Sequence, residues 1–210
     1  MTSQNKILLI LMIAAVAIIA GYAFMVVPYY FPKSAGAPIS NQPVPVRILP
    51  SDQIRGRADA SKTIIEFGDL ECPSCGAIDP QIANLINSNP DIRLVWKDCP
   101  LPSHPNAIAA AEADLCAGEQ GKYWEYHDLL IQNQDELGPD LYSTLAATLN
   151  LDTGAFAACL ASGKMNAQVL SSLNECDAAG VTELPWFSVN GSVFTGADAL
   201  PDLINKLNQQ

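Results

Sequence analysis

A chain of 210 residues, 49% of them apolar, has enough material for one sizeable core and an additional element. Its 22 acidic and 11 basic side chains give a formal net charge of −11, which argues against nucleic acid as a partner, because phosphate binding needs clustered Lys and Arg. Six cysteines around one redox-type motif fit an oxidising, extracytoplasmic compartment better than the cytosol.

Ile7 to Val27 form an uncharged run, about 31 Å long as a helix, which matches the hydrocarbon thickness of a bilayer. The expected reading is an uncleaved, single-pass anchor in membrane lipid, with the N-terminus in the cytoplasm and the rest outside, in the periplasm or at the cell surface. A cleaved signal peptide is the competing reading, but signal h-regions run to about 7 to 15 residues. Tyr29 and Tyr30 fit an interfacial belt. From Pro32 to Pro50 the chain is rich in Pro, Ser, Gly and Asn without periodicity, which reads as a linker. The expected organisation is an anchor over 1–31, a linker over 32–50 and a folded domain over 51–210.

The stretch Thr63-Ile-Ile-Glu-Phe-Gly-Asp-Leu-Glu-Cys-Pro-Ser-Cys75 reads as a strand running into a Cys-x-x-Cys at a helix start. Pro73 falls at the first helical position, where its missing N–H costs nothing. Cys72 then caps the helix, beside unpaired N–H groups and the positive dipole end. Such surroundings lower a thiol pKa from about 8.5 to between about 3.5 and 7.5, which makes Cys72 a nucleophile near neutral pH and Cys75 its shielded resolving partner. Half of a structural zinc site is the competing reading, but there is no second Cys-x-x-Cys, and His104 and His127 lack zinc-ligand spacing. No metal is expected. Glu66, in an otherwise apolar strand, puts a carboxyl beneath the cysteines, where desolvation raises its pKa and suits it to passing protons; alternatively it is a strand-end charge reaching solvent.

Beyond the cysteines, Pro80 is expected to bend the helix without ending it, since Ile82, Leu85 and Ile86 continue an apolar face. Asp91 to Lys97 reads as a strand alternating Ile92, Leu94 and Trp96 against Arg93, Val95 and Lys97, and a helical crossover makes it parallel to the strand before Cys72. From about 104 to 165 the periodicity is helical. Ile108, Ala111, Leu115 and Cys116 line one face, Tyr123, Tyr126 and Leu130 another, and Phe156, Cys159 and Leu160 a third. His104 reads as a helix-start residue and His127 as part of an aromatic cluster. Val169, Leu173 and Cys176 continue into a helix ending near Gly180. Trp186 to Thr195 reads as a hairpin turning at Asn190-Gly191, and Leu200, Leu203, Ile204 and Leu207 as a closing amphipathic helix. Cys116 and Cys159 each lie on an inward stripe and are expected to pair, two buried free thiols being the alternative. The leftover Cys99, ending a strand near the active-site edge, and Cys176, on the helix leading to Pro185, could pair as well, but the sequence leaves that open.

Four separated motifs resemble the DsbA-like group of thioredoxin-fold thiol oxidoreductases. They are Ile64-Ile-Glu-Phe-Gly-Asp-Leu-Glu-Cys-Pro-Ser-Cys75, Pro100-Leu-Pro-Ser-His-Pro-Asn-Ala107, Cys116-Ala-Gly-Glu-Gln-Gly-Lys-Tyr-Trp-Glu-Tyr-His127 and Gly180-Val-Thr-Glu-Leu-Pro-Trp-Phe-Ser-Val-Asn-Gly191. They stand in the family's order, and the resemblance spans Arg55 to Leu207. It implies an α/β thioredoxin fold with a helical insertion, Cys72 attacking, Cys75 resolving, Glu66 as buried acid and Pro185 as a cis-proline facing the disulfide. Leu184, Pro185 and Trp186 would meet the client. Here the chain departs from its relatives, which usually carry Thr or Val before this proline and a smaller residue after it.

The expected function is oxidation of cysteine thiols in secreted or envelope proteins, with no cofactor beyond the redox-active disulfide. The resemblance also implies a quinone-linked membrane thiol oxidase that recharges the pair. Reduction or isomerisation of disulfides would use the same residues, and a copper-handling module is the reading from another class, separable by metal content against dithiol turnover.

Overall fold

The computed structural model describes residues 46–209. The run at 7–27, expected to span a membrane, and residues 32–45 of the expected linker lie outside the described residues. Among those described, no helix is long and apolar enough to cross a membrane.

Five strands and seven α-helices make up the domain. In chain order they are β1 Gln53–Arg55, β2 Lys62–Gly68, α1 Pro73–Ser88, β3 Ile92–Asp98, α2 Ala107–Gly118, α3 Tyr123–Gln132, α4 Pro139–Thr148, α5 Thr153–Ser162, α6 Asn166–Ala178, β4 Trp186–Val189, β5 Ser192–Thr195 and α7 Leu200–Leu207, with a 3-10 turn at Gln134–Glu136. The sheet order is β1-β3-β2-β4-β5. β2 and β3 run parallel, joined through α1, and the other neighbours are antiparallel. The β2-α1-β3 and β4-β5-α7 units form the sheet-centred core. Helices α2 to α5 are the insertion between them.

On one sheet face Ile64, Leu94, Phe187 and Val189 pack against Ile78, Ile82 and Ile86 of α1 and Leu203 and Leu207 of α7. Glu66 shares this face, in register with Trp96 and Phe187. α1 runs through Pro80 unbroken. β3 extends to Asp98 and is buried on both faces rather than alternating with solvent: Val95 and Lys97 are as inaccessible as Leu94 and Trp96. Lys97 is buried because its Nζ lies 2.8 Å from both Asp52 and Glu175, the latter on α6. Gly68 ends β2 against the Trp96 indole, which a Cβ would strike. The hairpin turns at Asn190 and Gly191, whose φ values of 50° and 76° both lie in the left-handed region that a two-residue turn needs.

Two details of the insertion differ from expectation. Ile108 is exposed, because the buried surface of α2 is an alanine face, Ala107, Ala110, Ala111, Ala113 and Ala117, whose short side chains let neighbouring helices close around it. His104 does not start a helix. α2 begins at Ala107, and His104 sits in the preceding turn with Nδ1 2.8 Å from Asp69.

Candidate active site

At the end of β2 the chain turns through Asp69, Leu70 and Glu71 into α1, and side chains far away in sequence fix that turn. One Asp69 carboxylate oxygen accepts the Glu71 N–H at 2.7 Å; the other accepts the Leu101 N–H at 2.8 Å and meets His104. Glu71 accepts the backbone and side-chain N–H groups of Asn106 at 2.6 and 2.9 Å. Gln134, just after α3, donates to the carbonyls of Leu70 and Cys72 at 2.8 and 3.0 Å, and packs so closely that a Cβ on Gly76 would strike its amide.

Cys72 is the N-cap residue of α1, with Pro73 in the first turn. It keeps 7% exposure, whereas Cys75 has none, and both are free thiols. The Cys75 thiol facing Cys72 is the largest influence on it, joined by the N–H groups of Cys75 and Ser74; against burial they bring its pKa down to about 6. The Cys75 thiol is pushed far above its ordinary range by the Cys72 sulfur, by burial and by the charge of Glu66. One thiolate and one thiol are therefore the stable charge state of the reduced pair at neutral pH.

The Leu184–Pro185 bond is cis. Leu184 and Trp186, each 7% exposed, pack in one apolar cluster with Phe67, Cys72, Cys75, Cys99 and Cys176. The structure brings Cys99 and Cys176 into a disulfide with Cα atoms 5.9 Å apart. It ties the end of β3, where the Cys99 N–H bonds the Gly68 carbonyl at 2.8 Å, to α6. Cys116 and Cys159 form a second disulfide, joining α2 to α5 inside the insertion.

Glu66 is fully buried and neither carboxylate oxygen has a hydrogen-bond partner. Burial first, and then the charge of Asp79, raise its pKa well above the ordinary carboxyl value, while His127 and Arg55 oppose them. His127 packs among Trp96, Tyr123 and Trp124, the aromatic cluster expected of it, but the buried charges around Glu66 and His127, those of Arg55, Asp79, Asp98 and Asp114, were missed by sequence reading. Asp79 carried a legible signal, since it repeats the Cys75, Ile78, Ile82, Ile86 stripe of α1. Asp114 likewise sits among the buried alanines of α2. Asp79 also lines a cleft of about 200 Å³ with Asp128 and Gln132. Among the described residues, no group of His, Cys, Asp and Glu has the arrangement of a metal site.

A profile of the thioredoxin family matches residues 49–207. Among curated relatives, the Na(+)/H(+) antiporter NhaA 1 of Salinispora arenicola is 40% identical over 141 residues, 67% of this chain and 22% of that protein. NhaA 1 of Mycolicibacterium gilvum is 34% identical over 163 residues, 74% of this chain and 26% of the relative. The chain thus spans about a quarter of the length of these relatives. Among solved structures, the thiol-disulfide exchange protein alpha-DsbA2 of Wolbachia pipientis superposes with a TM-score of 0.69 at 22% identity, covering 75% of this chain and 86% of that one. BdbD of Bacillus subtilis superposes at 0.65 with 21% identity, over 75% and 93%. These likenesses are of fold.

Proposed function

This chain belongs to the thioredoxin family, and from that premise we propose that it is a protein thiol:disulfide oxidoreductase that works through Cys72 and Cys75. The observation that carries the proposal is the opposed environment of two free thiols one helical turn apart, a Cys72 pKa of about 6 beside a Cys75 held far above its ordinary range.

In the oxidising direction, a client thiolate attacks the Cys72 sulfur of the Cys72–Cys75 disulfide. The S–S electron pair leaves on Cys75, which takes a proton from Glu66. A second client thiolate then attacks the client sulfur of the mixed disulfide; the client gains a disulfide and Cys72 leaves as a thiolate. Two electrons pass from client to enzyme. Stabilising the Cys72 thiolate stabilises the reduced enzyme and so favours oxidation of the client. Reduction or isomerisation runs the same steps backwards, with Glu66 accepting the proton that Cys75 gives up.

Leu184, Pro185 and Trp186 form the apolar rim against which an extended client segment would lie, and they favour clients with apolar residues beside their cysteines. The Cys99–Cys176 and Cys116–Cys159 disulfides support an oxidising, extracytoplasmic location. Membrane attachment through 7–27 and recharging by a quinone-linked membrane thiol oxidase complete the proposal.

The test is trapping. Cys75→Ser should accumulate client proteins as mixed disulfides on Cys72, visible on non-reducing gels after acid quenching, and Cys72→Ser should accumulate none. Normal turnover by the Cys75 variant would overturn the assignment of the nucleophile.

A further inference from the structure

His127 lies on α3 with no exposed surface and a carboxylate at each ring nitrogen. Nδ1 is 2.8 Å from Asp114 of α2, and Nε2 is 3.4 Å from Asp79 of α1. The second distance is an ion-pair contact, too long for a good hydrogen bond. Trp96 and Trp124 meet the imidazole edge-on, with centroids at 4.6 and 5.1 Å, and Tyr123 stacks on it at 5.8 Å. Packed on three sides by rings, the imidazole is fixed in orientation.

We propose that His127 is a positioning residue for proton transfer at the redox pair: a fixed imidazolium, carried to the core by the helical insertion, whose charge keeps Glu66 able to ionise when Cys75 must give up its proton. The proposal rests on the reading of Glu66 as the proton partner of Cys75.

A packing role alone would not need two carboxylates. Asp79 Oδ1 and Asp114 Oδ1 have no hydrogen-bond partner, and a buried carboxylate without a nearby cation is strongly disfavoured. The groups facing the imidazole or coupled to it come from every element packed there. Arg55 lies on β1, Glu66 on β2, Asp79 on α1, Trp96 and Asp98 on β3, Asp114 on α2, and Tyr123 on α3 itself. Burial opposes the charge of His127, but Asp114 and Asp79 outweigh it and lift its pKa to about 10; burial lifts Asp114 to about 7 against the pull of His127, still below the imidazole, so the proton they share rests on His127. Burial likewise works against Asp79, yet contact with His127 holds it below its ordinary range. Arg55, the other cation of the cluster, is paired with Asp128 and stacked on Trp124 at 4.4 Å, so His127 is the cation held directly against Asp79. Glu66 lies in register with Trp96, which packs on the imidazole; His127 and Arg55 ease its ionisation while Asp79 opposes it, so with Asp79 held neutral the loss of His127 moves Glu66 to higher pH.

Two measurements on the full chain test this. The chain holds two histidines, so ring-nitrogen NMR of the unsubstituted protein, assigned with His104→Gln, should find both nitrogens of His127 protonated from pH 6 to 8. A neutral ring there overturns the proposal, whether or not any variant at 127 folds. Infrared titration of the protonated carboxyl band, assigned by its loss in Glu66→Gln, should then show, in proteins that both carry Asp79→Asn, a midpoint at least one pH unit higher with His127→Gln than without it. Below that midpoint, proton acceptance by Glu66 should slow about tenfold. An unchanged midpoint overturns the proposal. If instead the midpoint moves but Glu66→Gln leaves the pH profile of thiol exchange as it was, the role given to Glu66 fails and the electrostatic role of His127 stands.

Discussion

The side-chain amide of Gln134 donates a hydrogen bond to the carbonyl of Cys72 at 3.0 Å, so the helical insertion grips the backbone of the nucleophile directly. The same amide reaches the Leu70 carbonyl, and both bonds are to backbone oxygens rather than to the Cys72 sulfur. Gln134→Ala should therefore cost about 1 kcal/mol of stability, the scale of a lost hydrogen bond, because the Cys72 carbonyl keeps the N–H of Gly76, while the Cys72 pKa stays near 6. Denaturant melts and a thiolate titration on the same variant read the two effects separately.

The Cys116–Cys159 disulfide closes a separation of 43 residues inside the insertion. Its removal in a Cys116→Ala, Cys159→Ala variant should destabilise the domain by about 4 kcal/mol on the chain-entropy estimate. Its cysteines stand apart from the apolar cluster around Cys72, so the reduction potential of the 72/75 pair should not move. Thermal melts with a glutathione titration check both halves.

What was legible in the sequence is what local chemistry decides. The Cys-Pro-Ser-Cys helix start depends on capping and on proline geometry within a few residues. The hairpin depends on Asn190 and Gly191, and α7 on a clean apolar stripe. Where several elements converge, the signal was lost. Asp79, Asp114 and His127 meet from three helices; periodicity marks the two carboxylates as inward-facing, but a partner on another helix leaves no trace in it. The alanine face of α2 misled for a related reason: hydrophobic pattern favours Ile108, but close packing of neighbouring helices selects the small residues. His104 was misplaced because its partner, Asp69, lies 35 residues earlier.

Leu184 packs in the cluster that holds Cys72 and offers no donor to its sulfur. Leu184→Thr should add one, lowering the Cys72 pKa by up to about one unit. Since a tenfold change in equilibrium constant corresponds to about 30 mV for this two-electron couple, the disulfide should become more oxidising by up to about 30 mV. Selection for apolar clients should weaken. Paired glutathione and thiolate titrations measure it; equal values in the two proteins would reduce Leu184 to packing.

The central claim is that the reduced pair at neutral pH holds one thiolate, on Cys72, and one thiol, on Cys75. The reduction potential of the pair measured against pH tests it most directly. Below the Cys72 pKa, two protons accompany the two electrons and the potential falls by about 59 mV per pH unit; above it one proton suffices and the slope halves to about 30 mV. The predicted result is a single break near pH 6, the value that the thiol of Cys75 and the helix N–H groups give Cys72, with the shallower slope continuing through pH 8 because Cys75 stays protonated. An unbroken slope of about 59 mV per unit up to pH 8 would mean that Cys72 is an ordinary thiol, and would contradict the account.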